Sequence, residues 1–119
     1  MTFGEYIEEK RKSKKITLRG LAEKLDIAPS YMSDIEKGKR NPNRKELIDN
    51  IAKVLNLTQE EHNELYDLSA QQNENDVSVD LTEYIMNDKV ARTALRTARD
   101  FNATEEEWNA FIKTLKGNR

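Results

Sequence analysis

Between Thr17 and Pro42 the apolar residues fall into two short helical sets, Leu21-Ala22-Leu25 and Met32-Ile35, with only Asp26, Ile27 and Ala28 between them. Two helices joined by so short a turn must cross steeply, and they approach closely only where the contacting residue is small. Ala22 supplies that residue, while Leu21, Leu25, Ile27, Met32 and Ile35 fill the wedge. Asp26 suits the turn because Asp tolerates left-handed backbone better than most residues. Pro29 opens the second helix, where its missing N–H is no loss. Gly38 stops it as a left-handed cap. This layout leaves Pro29, Ser30, Ser33, Asp34 and Lys37 projecting from the outer side of that helix. A helix held out in this way fits the major groove of B-DNA.

The flanking segments read as helices too. Thr2 and Glu5 form a capping box for a first helix that buries Phe3 and Ile7, with Tyr6 beside them. The run Lys10–Lys15 closes it, with cations where the helix dipole is negative. After the turn signal Asn41-Pro42, a fourth helix carries Leu47, Ile48, Ile51, Ala52 and Leu55 at helical spacing, and Asn56 caps its end. Thr58 and Glu61 form a second capping box, starting a fifth helix with Leu65 and Leu68. Residues 70–79 are polar and without period, and are expected to be a linker. Beyond them lie Leu81, Tyr84, Ile85, Val90, Ala91, Ala94, Leu95, Ala98 and Phe101. A further capping box, Thr104 with Glu107, precedes Trp108, Phe111, Ile112 and Leu115 in one apolar stripe. A segment of some 40 residues can hardly bury such a stripe by itself. It is expected to form a dimer or domain interface. No stretch alternates as a strand does, so the expected class is all-α.

Composition narrows the function. The 119 residues contain no Cys and one His, His62, which removes thiolate chemistry and makes His-based metal cages or triads hard to build. No metal, cofactor or catalytic residue is expected, and the chain does not read as an enzyme. No apolar run approaches the ~20 residues of a membrane span, and no signal-peptide pattern opens the chain; the expected setting is cytoplasmic, with no membrane partner. The net charge of -2 hides an asymmetry. Residues 1–57 carry 13 Lys/Arg against 9 Asp/Glu, and residues 58–119 carry 7 against 13. A basic first half points to a polyanion, and an acidic second half to some other partner.

The residues Leu21-Ala22-Glu23-Lys24-Leu25, Ile27, Ser30-Tyr31-Met32-Ser33, Ile35-Glu36 and Gly38-Lys39-Arg40-Asn41-Pro42 together resemble the phage-repressor and Cro-like helix-turn-helix family, also called the xenobiotic-response-element family. The resemblance covers roughly residues 3–69. It implies a five-helix repressor-like helix-turn-helix domain over 1–69, beyond which composition and periodicity give a linker over 70–80 and a short C-terminal helical segment over 81–119. It also implies that the helix starting at Pro29 reads DNA and that Arg11 pairs with Glu36 to brace the first helix against it. The chain departs from the family pattern at Asp26, where glycine is usual, at Gly20, and at Ala28, where Ser or Thr often caps.

Pro29, Ser30, Ser33 and Asp34 are therefore the base-facing candidates, and Tyr31, Lys37, Lys39, Arg40 and Asn41 the phosphate candidates. Asp34 can accept from a cytosine amino group, but the surface is poor in the Arg, Gln and Asn that make bidentate base contacts. DNA shape is expected to supply part of the selectivity. The Lys10–Lys15 run serves equally as a solvated helix end or as a phosphate contact. His62 reads as a surface residue, and Glu105–Glu107 as carboxylates favoured by a helix dipole. The expected function is a transcriptional repressor that binds an inverted-repeat operator in double-stranded DNA as a homodimer. The alternative is an antitoxin-like or regulatory module whose C-terminal helices bind another protein.

Overall fold

The structure, a computed structural model, describes residues 1–73 and 76–119. Among them the architecture is all-α, with α1 Phe3–Ser13, α2 Leu18–Leu25, α3 Pro29–Glu36, α4 Lys45–Val54, α5 Gln59–Gln72, α6 Val79–Asn87, α7 Lys89–Asp100 and α8 Glu105–Gly117. It divides into two compact units, Met1–Thr82 and Glu83–Arg119.

Capping chemistry sets the helix starts. Thr2, Thr58 and Thr104 each accept from the backbone N–H three residues on, and Glu5, Glu61 and Glu107 return the bond to the cap. Thr17 caps α2 by accepting from Gly20 N–H. A Cβ on Gly20 would lie 3.0 Å from that Thr17 hydroxyl, so a glycine there keeps the cap unstrained. Asp88 caps α7 by accepting from Ala91 N–H at 3.0 Å, a signal that the spacing of apolar residues did not reveal. Ala28 offers α3 no side-chain cap.

The ends of α1, α2, α3, α4 and α7 share one device. Lys15, Asp26, Gly38, Asn56 and Asn102 all have positive φ, between 52° and 80°. Each sits just past a helix, and the next amide reaches back to a carbonyl five residues earlier: Ile16 to Arg11, Ile27 to Ala22, Lys39 to Asp34, Leu57 to Ala52, Ala103 to Ala98. These bonds satisfy carbonyls that would otherwise be orphaned. Lys15 gives no turn signal in the sequence, and only the structure shows it in the left-handed region.

In the first unit Phe3, Ile7, Leu21, Ala22, Met32, Ile35, Ile48, Ile51, Leu55 and Leu65 form one buried core with Leu47, Tyr66 and Leu68. α3 packs on α1 and α2, and α4 on α2 and α5. The closest approach is at Gly4. A Cβ there would meet the Ile35 carbonyl oxygen at 2.3 Å and the Glu36 carbonyl oxygen at 2.5 Å. The first turn of α1 therefore rests directly on the backbone at the end of α3, which only a glycine permits.

The polar stretch is shorter than the linker expected over 70–80. α5 continues through Ala70–Gln72, and α6 already includes Val79 and Asp80. Side-chain bonds extend the helices: Asn73 Nδ2 donates to Ser69 O at 2.9 Å, and Ser78 Oγ donates to Asp80 Oδ1 at 2.6 Å. The linker residues Glu74 and Asn75 lie outside the described residues. The division between units falls inside α6, two residues beyond the boundary expected from composition.

The second unit, taken by itself, buries none of its helical residues in α7 or α8. Gly4→Ala is expected to lower the unfolding free energy by about 1–3 kcal/mol, the usual cost of overpacking, because backbone rather than a flexible side chain blocks the added methyl. A urea melt with an unchanged midpoint would contradict the close approach.

Candidate nucleic-acid interface

The candidate interface centres on α3, whose inner side carries Met32, Ile35 and Glu36, all buried. Its outer side is accessible: Pro29 and Ser30 are exposed, while Tyr31, Ser33 and Asp34 are half-buried. Lys37, Lys39, Arg40 and Asn41, on the loop that follows, are exposed. None of the candidate contact residues is hidden beneath a neighbouring element.

Gly38, at φ +80°, turns the chain at the end of α3, and nothing lies within 4 Å of where its Cβ would be. The amides of Lys39 and Arg40 both donate to Asp34 O, at 2.9 and 3.3 Å, folding the loop back along the helix. Lys37, Lys39 and Arg40 take part in no ion pair among the described residues, whose pairs all lie elsewhere. Three uncompensated cations therefore cluster beside the outer side of α3. Such a cluster attracts phosphate strongly.

Behind the helix lies a buried ion pair. Arg11 Nε donates to Glu36 Oε2 at 2.7 Å and Nη2 to Oε1 at 2.9 Å, a bidentate arrangement. Nη1 donates to Ile16 O at 3.0 Å, so one guanidinium ties α1, the α1–α2 turn and α3 together. The hydrogen bonds to Glu36 raise the Arg11 pKa further despite partial burial. Planar, two-point pairing of this kind fixes orientation as well as distance.

The basic run of α1 resolves residue by residue. Lys10 pairs with Glu61 at 2.6 Å and lies 5.2 Å above the Tyr6 ring, and Lys12 pairs with Glu8 at 2.7 Å. With Arg11 committed to Glu36, only Lys14 and Lys15 of the run carry charge without a partner among the described residues. The acidic residues also sit differently from the two-halves reading. Residues 58–82 hold seven Asp/Glu and no Lys or Arg, whereas residues 83–119 hold six Asp/Glu and seven Lys/Arg. The excess acid belongs to α5 and the start of α6, within the first unit, and the second unit is nearly neutral.

His62 is half-buried, not a free surface residue. Its Nε2 lies 2.8 Å from Asp49 Oδ1, its ring stacks on Tyr66 at 5.1 Å, and Tyr66 donates its hydroxyl to the same Asp49 oxygen. Lys45 donates to Asp49 Oδ2 at 3.0 Å. Burial works to raise the Asp49 pKa, but the bonds from Tyr66, Lys45 and His62 outweigh it and hold the carboxyl below its ordinary range. Burial and then the bond to Asp49 push Tyr66 upward. This network fastens α4 to α5 and involves none of the contact candidates. Sequence spacing gave no sign of it, because its members lie 13 and 17 residues apart on different helices.

In the second unit Trp108 and Phe111 meet edge to face, with centroids 6.0 Å apart. Trp108 is 37 % exposed and Phe111, Ile112 and Leu115 are between 42 % and 52 % exposed. Val90 and Leu95 of α7 are likewise exposed.

Two short helices packed together across a three-residue turn, the second accessible on its outer side beside cations outside any described ion pair, have the layout of a helix-turn-helix module. Residues 7–61 match the helix-turn-helix family model, so this segment is a helix-turn-helix domain of Cro/C1 type. A solved structure titled as a SinR protein/SinI protein complex is similar in fold over 98 % of this chain and 97 % of that chain, at 21 % identity and a TM-score of 0.50. No curated protein gives a significant match. Among the described residues, no helix is long and apolar enough to cross a membrane.

Removing one partner of the Arg11–Glu36 pair strands the other charge in a buried place. Glu36→Ala is expected to cost about 3–5 kcal/mol in urea unfolding; a loss under about 1 kcal/mol, as for an exposed pair, would contradict the bracing role. A second expectation concerns acid. The bond from Lys10, helped by the Thr58 backbone, holds Glu61 at about 2 instead of its ordinary 4.5. The unfolded chain takes up this proton near pH 4.5 and the folded chain only near pH 2. The stabilisation is therefore complete above about pH 4.5 and is lost as the pH falls toward 2. Glu61→Gln should flatten the decline of stability across that window, and an unaltered slope would rule the pair out as its source.

Proposed function

We propose that this DNA-binding regulator recognises specific double-stranded sites with α3 in the major groove, and that it is a repressor acting as a homodimer on an inverted-repeat operator. The observation that carries this reading is the accessible outer side of α3 beside three uncompensated cations. In the proposed docking Pro29, Ser30, Ser33 and Asp34 face bases, and Tyr31, Lys37, Lys39, Arg40 and Asn41 meet the phosphate backbone. Base contacts supply selectivity while phosphate contacts fix register. With Ser, Pro and Asp as its readers, the site draws part of its specificity from DNA deformability.

The second unit supports the homodimer reading. Trp108, Phe111, Ile112 and Leu115 form an apolar stripe that the unit does not cover, and a like stripe on a second copy offers isologous burial. Two linked domains would then set their α3 helices about one helical turn, ~34 Å, apart. A second reading keeps the same surface but gives it a different protein as partner. Its support is that the similar solved structure is a complex of two proteins. In either reading the protein is proposed to act in the cytoplasm, through binding and not catalysis.

One experiment tests the proposal. Fluorescence anisotropy against duplex selected from genomic fragments by the purified protein should give binding that weakens steeply with salt. Lys37→Ala should lower the slope of log K against log salt by about one unit, whatever the duplex sequence. Sedimentation of the same complexes should find two chains per site. Unchanged affinity and slope for Lys37→Ala would overturn the docking, and one chain per site would overturn the dimer.

A further inference from the structure

The loop between α3 and α4 carries Lys39, Arg40 and Asn41, yet it has little backbone bonding to hold it. Its amides at Lys39 and Arg40 are tied to Asp34 O, and the next amide bonded to backbone is that of Ile48, inside α4. Residues 41–44 thus contribute no backbone N–H bond among those described, and Pro42 has no N–H to give. One side chain from elsewhere reaches this gap. Ser69, on α5 and only 1 % exposed, donates its hydroxyl to Asn43 Oδ1 at 3.0 Å and lies 3.4 Å from Pro42 O.

We propose that Ser69 is a positioning residue for DNA binding, acting through Asn43 to hold the loop that presents Lys39, Arg40 and Asn41 to the phosphate backbone. This inference rests on the proposed function and adds to it a residue far from the contact surface, 26 positions from Asn43 in sequence. The physical argument is preorganisation. A loop that must be ordered on binding gives up part of its electrostatic gain to lost conformational freedom. A buried hydroxyl with a fixed acceptor orders the loop beforehand. Asn73 Nδ2 in turn donates to Ser69 O at 2.9 Å, which fastens the last turn of α5 around the serine. Ser69 touches no DNA in this scheme; it sets where Asn43, and with it the preceding residues, can sit.

A merely structural serine would move stability alone, so the test reads binding and loop order separately. Ser69→Ala, Asn43→Ala and the double variant are compared with the unmodified full chain on a mixed-sequence duplex, and amide hydrogen exchange is followed without DNA. Each single variant should bind about three- to tenfold more weakly, the worth of one ordinary hydrogen bond. The double variant should be no worse than the weaker single one, because both changes cut the same link. The amides of Lys39 and Arg40, the two that are bonded to Asp34 O, should exchange faster in all three, with those of α4 unchanged. Wild-type affinity for Ser69→Ala, additive losses in the double variant, or a lowered Tm with loop exchange unaltered would each overturn the inference. An unmodified chain that does not bind duplex would overturn the parent reading as well, which separates that failure from one seen only in the variants.

Discussion

The contact between the start of α1 and the end of α3 is the constraint on which the proposed DNA-binding surface depends. A helix of eight residues has little stability of its own, and α3 also lacks a side-chain cap at its start. Its position must come from packing. Gly4 lets α1 settle on the Ile35 and Glu36 carbonyls, and Arg11, two turns further along α1, grips the Glu36 carboxylate with two hydrogen bonds. Met32 and Ile35 complete the inner face against the core. These three attachments use up one side of the helix and leave Ser30, Ser33 and Asp34 on the other. The accessible face of α3 is a consequence of how completely its inner face is engaged.

The same division runs through the charges. Cations at Lys10, Arg11 and Lys12 are neutralised within the fold, by Glu61, Glu36 and Glu8. Lys37, Lys39 and Arg40, just beyond α3, are in no ion pair among the described residues. A basic sequence run and a basic surface are therefore different things here, and it is the pairing that decides which charges a polyanion meets. α5 takes the opposite part, since residues 58–82 contain carboxylates without a single Lys or Arg. Its Glu61 both completes a capping box and receives Lys10. Its far end holds Ser69. One helix thus steadies α1 at one end and the α3–α4 loop at the other.

Local chemistry was readable before any coordinates. Thr2 with Glu5, Thr58 with Glu61, Pro29, Asp26 and Gly38 announce helix ends through their own side chains or backbone preferences, and the structure has a capping box, a first helical position or a left-handed turn at each. The features that the sequence does not disclose depend on neighbours distant along the chain. Gly4 looks like an ordinary helix residue until α3 is laid across it. Asp49, His62 and Tyr66 are unremarkable on separate helices and form a bonded network only when α4 meets α5. Ser69 and Asn43 follow the same rule. The polar stretch misled for another reason: Gln and Asn suggest a linker by composition, yet α5 runs on through Gln72 because nothing there forbids a helix.

The central claim is that the outer side of α3 and the loop after it form the surface that meets duplex DNA. Amide chemical-shift mapping of the full chain on addition of a bound duplex tests it most directly. The account predicts that the largest shifts fall at Ser30, Ser33, Asp34 and Lys37 to Asn41, with α5 and α8 little changed. Shifts concentrated on α5 or on the Trp108 stripe, with α3 silent, would contradict it.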